Sequence, residues 1–526
     1  MSSADPSDSP PPISVGRRLA YVALTLVLFA VLLEGTLALT GIGDPRKRLS
    51  LTRGFSPTAS YFAPVPEKPG TVTTQMFNGE SVEIVIPPRS ERVRVMMFGG
   101  SNTEGFLVDW VEAPLQQALP APGVEVFNLG RHGYGSERVR ILFTQALEYD
   151  PDVVLIYMGH NEFIEQGFAA ELIERWRQPW LLRVTEKLSA LHSMNVAVDV
   201  AESLARDQAS LTPEQQRGRG EATVFRSLTW ERTQIFFEVY EENLRAMVSL
   251  ARDAGAQVVL STLVGNDFDP PFVINLPREL PPETVQIIHQ MRRQAAVLIP
   301  FRLRRGLIQS GPDDPSVHLR PTDWGESITR EELAERRTRG GLPAAPPLRP
   351  HVGDLAAAPF GRPSTDWKPV VYPLMATMSK VYARQPNPAE RAALEQAATI
   401  LEQVLELAPD HPATLFELGI VVYMLGGDDD RARDLLIAAA HYDRAPTRAN
   451  DIVNGIVREL AAELAGEPDV RFVDSERWFR ERCPQGLVGY EVMMDNCHLH
   501  QEARKILVAN LVTPLLELSR EAAEER

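Results

Sequence analysis

From Arg92 onward, short apolar runs alternate with stretches of helical spacing, and four runs close on a loop rich in glycine or polar residues. Those runs are Val93–Phe98, Val124–Asn128, Val153–Met158 and Gln257–Leu263. After a long interruption Val470–Asp474 adds a fifth. Continuous apolar runs are typical of parallel strands covered on both faces, and their alternation with helices predicts an α/β fold. Helical spacing lies over Ser136–Leu147, Thr229–Ala254, Asp451–Ala465 and Gln501–Leu518. Open α/β sheets carry their sites beyond the carboxyl ends of the strands.

Read in that light, the loops hold a coherent set. Gly99-Gly100-Ser101-Asn102 follows the first strand, Gly130-Arg131-His132-Gly133 the second, and Gly159-His160-Asn161-Glu162 the third. Asp495-Asn496-Cys497-His498 stands just before the closing helix. A serine hydroxyl is a weak nucleophile and needs a base within hydrogen-bond reach, and histidine serves best when a carboxylate fixes its tautomer. Asp495 and His498, three residues apart, can face one way from a single turn. The Ser101 and Gly133 N–H groups and the Asn161 carboxamide are candidate oxyanion donors. Each piece alone is weak. A Gly-Gly-Ser is more often an ordinary turn, and no Gly-Lys-Ser/Thr follows to make it a phosphate loop. An isolated Asp-x-x-His is more often a helix cap beside a core histidine. Their joint occurrence in this order points to acyl-ester chemistry at Ser101.

With these residues the chain resembles the SGNH (GDSL-like) hydrolase superfamily over about residues 91–170, 235–270 and 450–515. The resemblance implies a flavodoxin-like three-layer α/β/α sandwich, with Ser101 as nucleophile, Gly133 and Asn161 in the oxyanion hole, and Asp495 and His498 completing the triad. It implies no metal and no cofactor. Two departures stand out: the usual Gly-Asp-Ser is Gly99-Gly100-Ser101, and Gly-x-Asn-Asp is Gly159-His160-Asn161-Glu162. His132, His160 and His500 also lie in or beside the motif loops, and His500 competes with His498 as base.

The rest of the chain sets the context. The total of 526 residues is more than one core holds. A net charge of −16 with no basic stripe argues against nucleic acid as a partner. Residues 1–18 read as a disordered tail, and 19–42 as an apolar stretch long enough to cross a bilayer, which takes about 20 residues. A cleaved signal peptide is the competing reading of that stretch. Arg17 and Arg18 flank one side of it, and Arg46, Lys47, Arg48 and Arg53 the other, so charge alone does not orient it. A large body after a first apolar segment favours an anchored, extracytoplasmic domain, on the periplasmic side of a bacterial inner membrane.

Residues 43–90 read as a β-rich lead-in, and 91–300 as the first part of the hydrolase domain. A Pro-rich linker is expected over 301–375, and a helical insert with tetratricopeptide-like offsets over 376–445. Residues 446–520 return to the hydrolase domain. Cys483 and Cys497 suit either a disulfide or two buried thiols.

Three functions fit. The first is a membrane-anchored serine esterase acting on acyl, including acetyl, esters. The second is an O-acyltransferase that passes the acyl group to envelope glycans or lipids. The third, of another class, is an inactive scaffold that binds a protein partner through the repeat-like helices.

Overall fold

A computed structural model describes residues 14–44, 61–74, 84–119, 121–163, 188, 191–197, 200, 230–271, 280–299 and 386–524. Residues 1–13 of the tail expected over 1–18, the charged stretch around 208–221 and the Pro-rich segment 301–375 lie outside these residues, whereas residues 15–18 are helical and not tail. The chain divides into two compact units, residues 1–60 with 174–215, and residues 61–173 with 216–526.

In the first unit, helix α1 (Val15–Thr40) opens on Ser14, whose side chain accepts the Arg17 N–H, and ends on Gly41 in the left-handed region. Among the described residues it is the one helix long and apolar enough to cross a membrane, with mean hydropathy 2.3. A signal segment has the same length and composition. Glu34, the single acid of this helix, is not left bare. Its carboxylate accepts the backbone N–H groups of His192 at 2.5 Å and Ser193 at 3.0 Å, while Asn195 Nδ2 donates to the Gly43 carbonyl at 3.1 Å. A helical turn over residues 192–197 is thereby tied to the end of α1.

The second unit begins with a small antiparallel sheet, β1 (Phe62–Pro64), β2 (Val72–Thr74) and β3 (Val85–Ile86). The main sheet follows, built from β4 (Val93–Gly99), β5 (Val124–Asn128), β6 (Val153–Tyr157), β7 (Gln257–Ser261) and β8 (Val470–Val473). Its order is β5-β4-β6-β7-β8 with every pairing parallel. Every residue of β4, β6 and β7 is buried, which accounts for their unbroken apolar character. The exception in β4 is Arg94. Its guanidinium meets Glu125 at 2.7 Å and the Tyr149 carbonyl at 2.7 Å, so the buried charge is paired and hydrogen-bonded.

Helices cover both faces. On one side α3 (Val108–Ala118) packs against α12 (Gln501–Glu524). On the other, α4 (Ser136–Ala146) packs against α5 (Trp230–Asp253), which also meets α10 (Asp451–Glu463). The fold is a mixed α/β body on a parallel central sheet, in the doubly wound order where the chain reverses direction between β4 and β6. That reversal opens a crevice at the carboxyl ends of these two strands. Ser101, at the start of the short helix α2 (Ser101–Glu104), and Asn161 both follow strands that flank it.

Between β7 and β8 the chain makes a long helical excursion. It runs through α6 (Pro282–Leu298), α7 (Pro388–Leu407), α8 (Pro412–Leu425) and α9 (Asp429–His441) before α10. Proline at the first helical position starts α6, α7 and α8, where its missing N–H has no intrahelical role. Asn387 and Glu390 add a reciprocal capping box to α7. Helix α8 is apolar nearly all round because α7 and α9 both pack on it, and α7 also packs on α6. Leu401, Leu418 and Leu436 form one cluster with Ala295 of α6 and Phe268 of the β7 loop, so the excursion shares its core with the loop beyond β7.

Helices α3 and α6 were not marked by the sequence reading. Pro114 lies inside α3 and breaks its apparent pattern, and α12 runs past the expected Leu518 to Glu524 despite Pro514. After α10, α11 (Ser475–Arg480) follows β8 directly.

Candidate active site

Ser101 Oγ lies 2.7 Å from His498 Nε2, although 397 positions separate the two residues in the chain. His498 Nδ1 lies 2.8 Å from Asp495 Oδ2, so the carboxylate accepts the Nδ1–H and leaves Nε2 as an acceptor for the serine proton. The second carboxylate oxygen, Asp495 Oδ1, accepts the backbone N–H groups of His498 at 2.7 Å and Cys497 at 2.9 Å. This local ring of bonds is why an Asp-x-x-His spacing presents both side chains in one direction. Burial works to raise the Asp495 carboxyl, but the bonds from the His498 ring and from the two N–H groups outweigh it and hold it down at about 2.

The loops after β4, β5 and β6 meet around Ser101. Asn161 Nδ2 donates to the Tyr134 carbonyl at 3.0 Å, which pins the carboxamide and leaves its second N–H for another acceptor. A Cβ on Gly100 would lie 2.5 Å from Asn161 Nδ2, so glycine at this position is what lets the Asn161 amide come so close to Ser101. Gly133 holds φ +71°, a conformation that favours glycine, and its neighbour Tyr134 supplies the carbonyl that takes the Asn161 amide. Gly100, Ser101, Asn102, His160 and Asn161 line one small cleft.

Several residues that shape this site were not singled out from the sequence for such a role. Asn102 Nδ2 donates to the Cys497 carbonyl at 2.8 Å, tying the serine loop to the histidine loop. Asn266 Nδ2 donates to the Asp495 carbonyl at 2.9 Å, and the Asn266 N–H to the Asn496 carbonyl at 3.0 Å. Asn496 Nδ2 in turn donates to the Thr447 carbonyl at 2.7 Å. Two residues on, the Ala449 N–H donates to His160 Nδ1 at 3.1 Å, and between them Arg448 donates to the Asp269 carbonyl at 2.9 Å. The short stretch 447–449 therefore grips three loops of the site. Asparagine after a buried strand, as at Asn266, was the available signal.

The competing histidines are placed differently. His500 holds the Glu491 carbonyl through Nε2 at 2.7 Å and accepts the Ala503 N–H at the start of α12. His132 is exposed. His160 is buried, and burial, with a smaller contribution from the neighbouring His498 ring, pushes its imidazole down to about 3. Glu162, where the related pattern has aspartate, accepts the Ser136 N–H at 2.9 Å and the Ser136 hydroxyl at 2.6 Å. It thus caps α4 and does not face the serine.

The two cysteines are free and buried. Ligand atoms of Asp495, Cys497 and His498 lie within 4.8 Å of one another, the kind of group that holds a metal ion. However, the His498 Nδ1 and Asp495 atoms already bond each other, and burial pushes the Cys497 thiol up, away from the thiolate a metal would need.

Residues 97–326 match the GDSL-like Lipase/Acylhydrolase family. It is this stretch, less than half of the chain, that is similar to a GDSL-like lipase/acylhydrolase domain. No curated protein and no solved structure matches the chain. The matched stretch holds Ser101, Gly133 and Asn161 but stops well short of His498, so only the fold brings Ser101 and His498 together. Members of this family are acyl hydrolases, and ester hydrolysis is the general chemistry this domain belongs to.

Proposed function

We propose that the chain is a serine esterase that works through an acyl-serine intermediate, with Ser101 as nucleophile, His498 as base and Asp495 as its orienting carboxylate. The observation that carries this reading is the continuous line from Ser101 Oγ to His498 Nε2 at 2.7 Å and from His498 Nδ1 to Asp495 at 2.8 Å. In the first half-reaction Ser101 Oγ bonds to the acyl carbon while its proton passes to His498. The C–O bond to the alcohol then breaks as His498 returns that proton to the departing oxygen. Asn161, the Ser101 N–H and the Gly133 N–H receive the negative charge that forms on the carbonyl oxygen in between. Water repeats the sequence on the acyl-serine and releases the acid.

The length and apolarity of α1 support tethering of this enzyme to a membrane, with an acyl ester of an envelope glycan or lipid as substrate. A fluorophosphonate probe tests the reading directly. It should label the wild-type chain and not Ser101→Ala. A well-folded wild-type chain that stays unlabelled would favour the inactive scaffold instead.

A further inference from the structure

His160 exposes only 5% of its surface and lines the same cleft as Ser101. The Ala449 N–H donates to its Nδ1 at 3.1 Å, which makes Nδ1 the acceptor and puts the proton of the neutral ring on Nε2. That Nε2 is buried and has no hydrogen-bond partner among the described residues. A buried donor left unmatched is costly, so its retention at a cleft asks for a ligand atom. Asn102 lines the same cleft, and its Oδ1 is also buried and unmatched, its Nδ2 being committed to the Cys497 carbonyl.

The side of the cleft decides what these two atoms meet. The stretch 447–449 holds His160 through the Ala449 N–H and Asn496 through the Thr447 carbonyl, which puts His160 on the side of the Asp495–His498 turn, where the imidazole returns a proton to the alcohol. The carbonyl oxygen, by contrast, is served by Asn161 against Tyr134. The geometry points to His160 Nε2–H, with Asn102 Oδ1, as a binding contact for the alcohol part of the ester, selecting alcohols that carry further hydroxyl groups. A hydroxyl can satisfy a lone donor and a lone acceptor, whereas a plain alkyl group satisfies neither.

This assignment rests on the serine-esterase reading, and the experiment keeps the two apart. The full chain in detergent is first labelled with a fluorophosphonate; failure here would sink the esterase reading itself. Initial rates are then measured on glycerol monoacetate and ethyl acetate, which share an acyl group and differ in alcohol hydroxyls. The wild type should favour the glycerol ester in kcat/KM by about tenfold, the scale of one well-made hydrogen bond. His160→Asn keeps an acceptor in the place of Nδ1 and loses the Nε2 donor, and should lower kcat/KM on the glycerol ester several-fold more than on ethyl acetate, removing most of that preference. His160→Gln, whose amide nitrogen takes the place of Nε2, should restore it. A labelled wild type that shows no preference between the two esters overturns the assignment without any variant. So does an equal loss on both esters in His160→Asn.

Discussion

Ser101 and Asn161 stand at the ends of two neighbouring strands whose every residue is buried, whereas His498 and Asp495 stand in a stretch whose one regular feature is a single bridge between Met493 and Leu499. The nucleophile side is therefore placed by the sheet, through the β4–β6 pairing that sets Phe98 beside Ile156. The base side is placed by amide side chains. Asn102 and Asn266 each donate to a backbone carbonyl of the Asp495–His498 turn, and Asn496, within that turn, donates outward to the Thr447 carbonyl. A sheet spreads its positioning over many buried contacts, while a stapled loop concentrates it in a few bonds. Single substitutions should accordingly separate activity from stability on the base side more cleanly than on the strand side.

At the reacting atoms the two sides should be equal. Ser101→Ala and His498→Ala should each lower kcat by about 10⁶-fold on an activated acetate ester, and the double variant should be no worse, as for groups that act as one unit. Additive losses would show that the two do not work together. One step back on the strand side, Asn161→Ala should cost about 10² to 10³-fold in kcat, the scale of losing one oxyanion donor. An unchanged rate would remove Asn161 from that role.

The contrast itself is tested by a pair of milder changes. Asn496→Ala removes the bonds to Thr447 and should lower kcat about tenfold, with the urea midpoint nearly unmoved. Val95→Ala, in the middle of β4, should do the opposite, costing about 2 kcal/mol of stability with kcat little changed. If Asn496→Ala loses stability instead of rate, the loop is not held in the way described.

The same contrast explains what could be read without coordinates. The main strands announced themselves through apolar runs, uninterrupted in β6 and in the centre of β7 because burial on both faces leaves no polar alternation, and broken by a single charged residue in β4, β5 and β8. Ser101, Asn161, Asp495 and His498 were legible because each occupies a short local pattern at a strand end or before a helix. The asparagine staples were not, since a side chain that bonds a carbonyl more than 200 positions away leaves no local pattern. Helix α3 was hidden by Pro114, and the structural role of Glu162 emerges only once α4 is seen to begin at Ser136. The segment 447–449 reads as an ordinary connection between helices. Its reach to Asn496, His160 and Asp269 is a property of the fold alone.

The smallest expected effect concerns acid stability, and it asks whether the helical excursion and the α/β body unfold together. His160 belongs to the body and His411 to the excursion, and burial pushes both imidazoles down. Arg292 and His289 add to the effect at His411. In the unfolded chain an imidazole takes its proton near pH 6.5, about the ordinary value. Below that pH the unfolded chain binds protons that the folded chain refuses, so this contribution to stability is complete above about pH 6.5 and is lost as pH falls. For His160 the loss runs until the folded ring also protonates, at about 3. His411→Asn removes one such group and keeps an acceptor for the Thr414 N–H at the start of α8, where asparagine is a good cap. Between pH 6 and pH 4.5, urea unfolding of this variant should depend on pH less steeply than the wild type by about 1.4 kcal/mol per unit. A single transition that shifts as a whole means that one cooperative unit spans both regions. Two transitions, of which His411→Asn moves only one, would mean that the excursion opens while the nucleophile side stays folded.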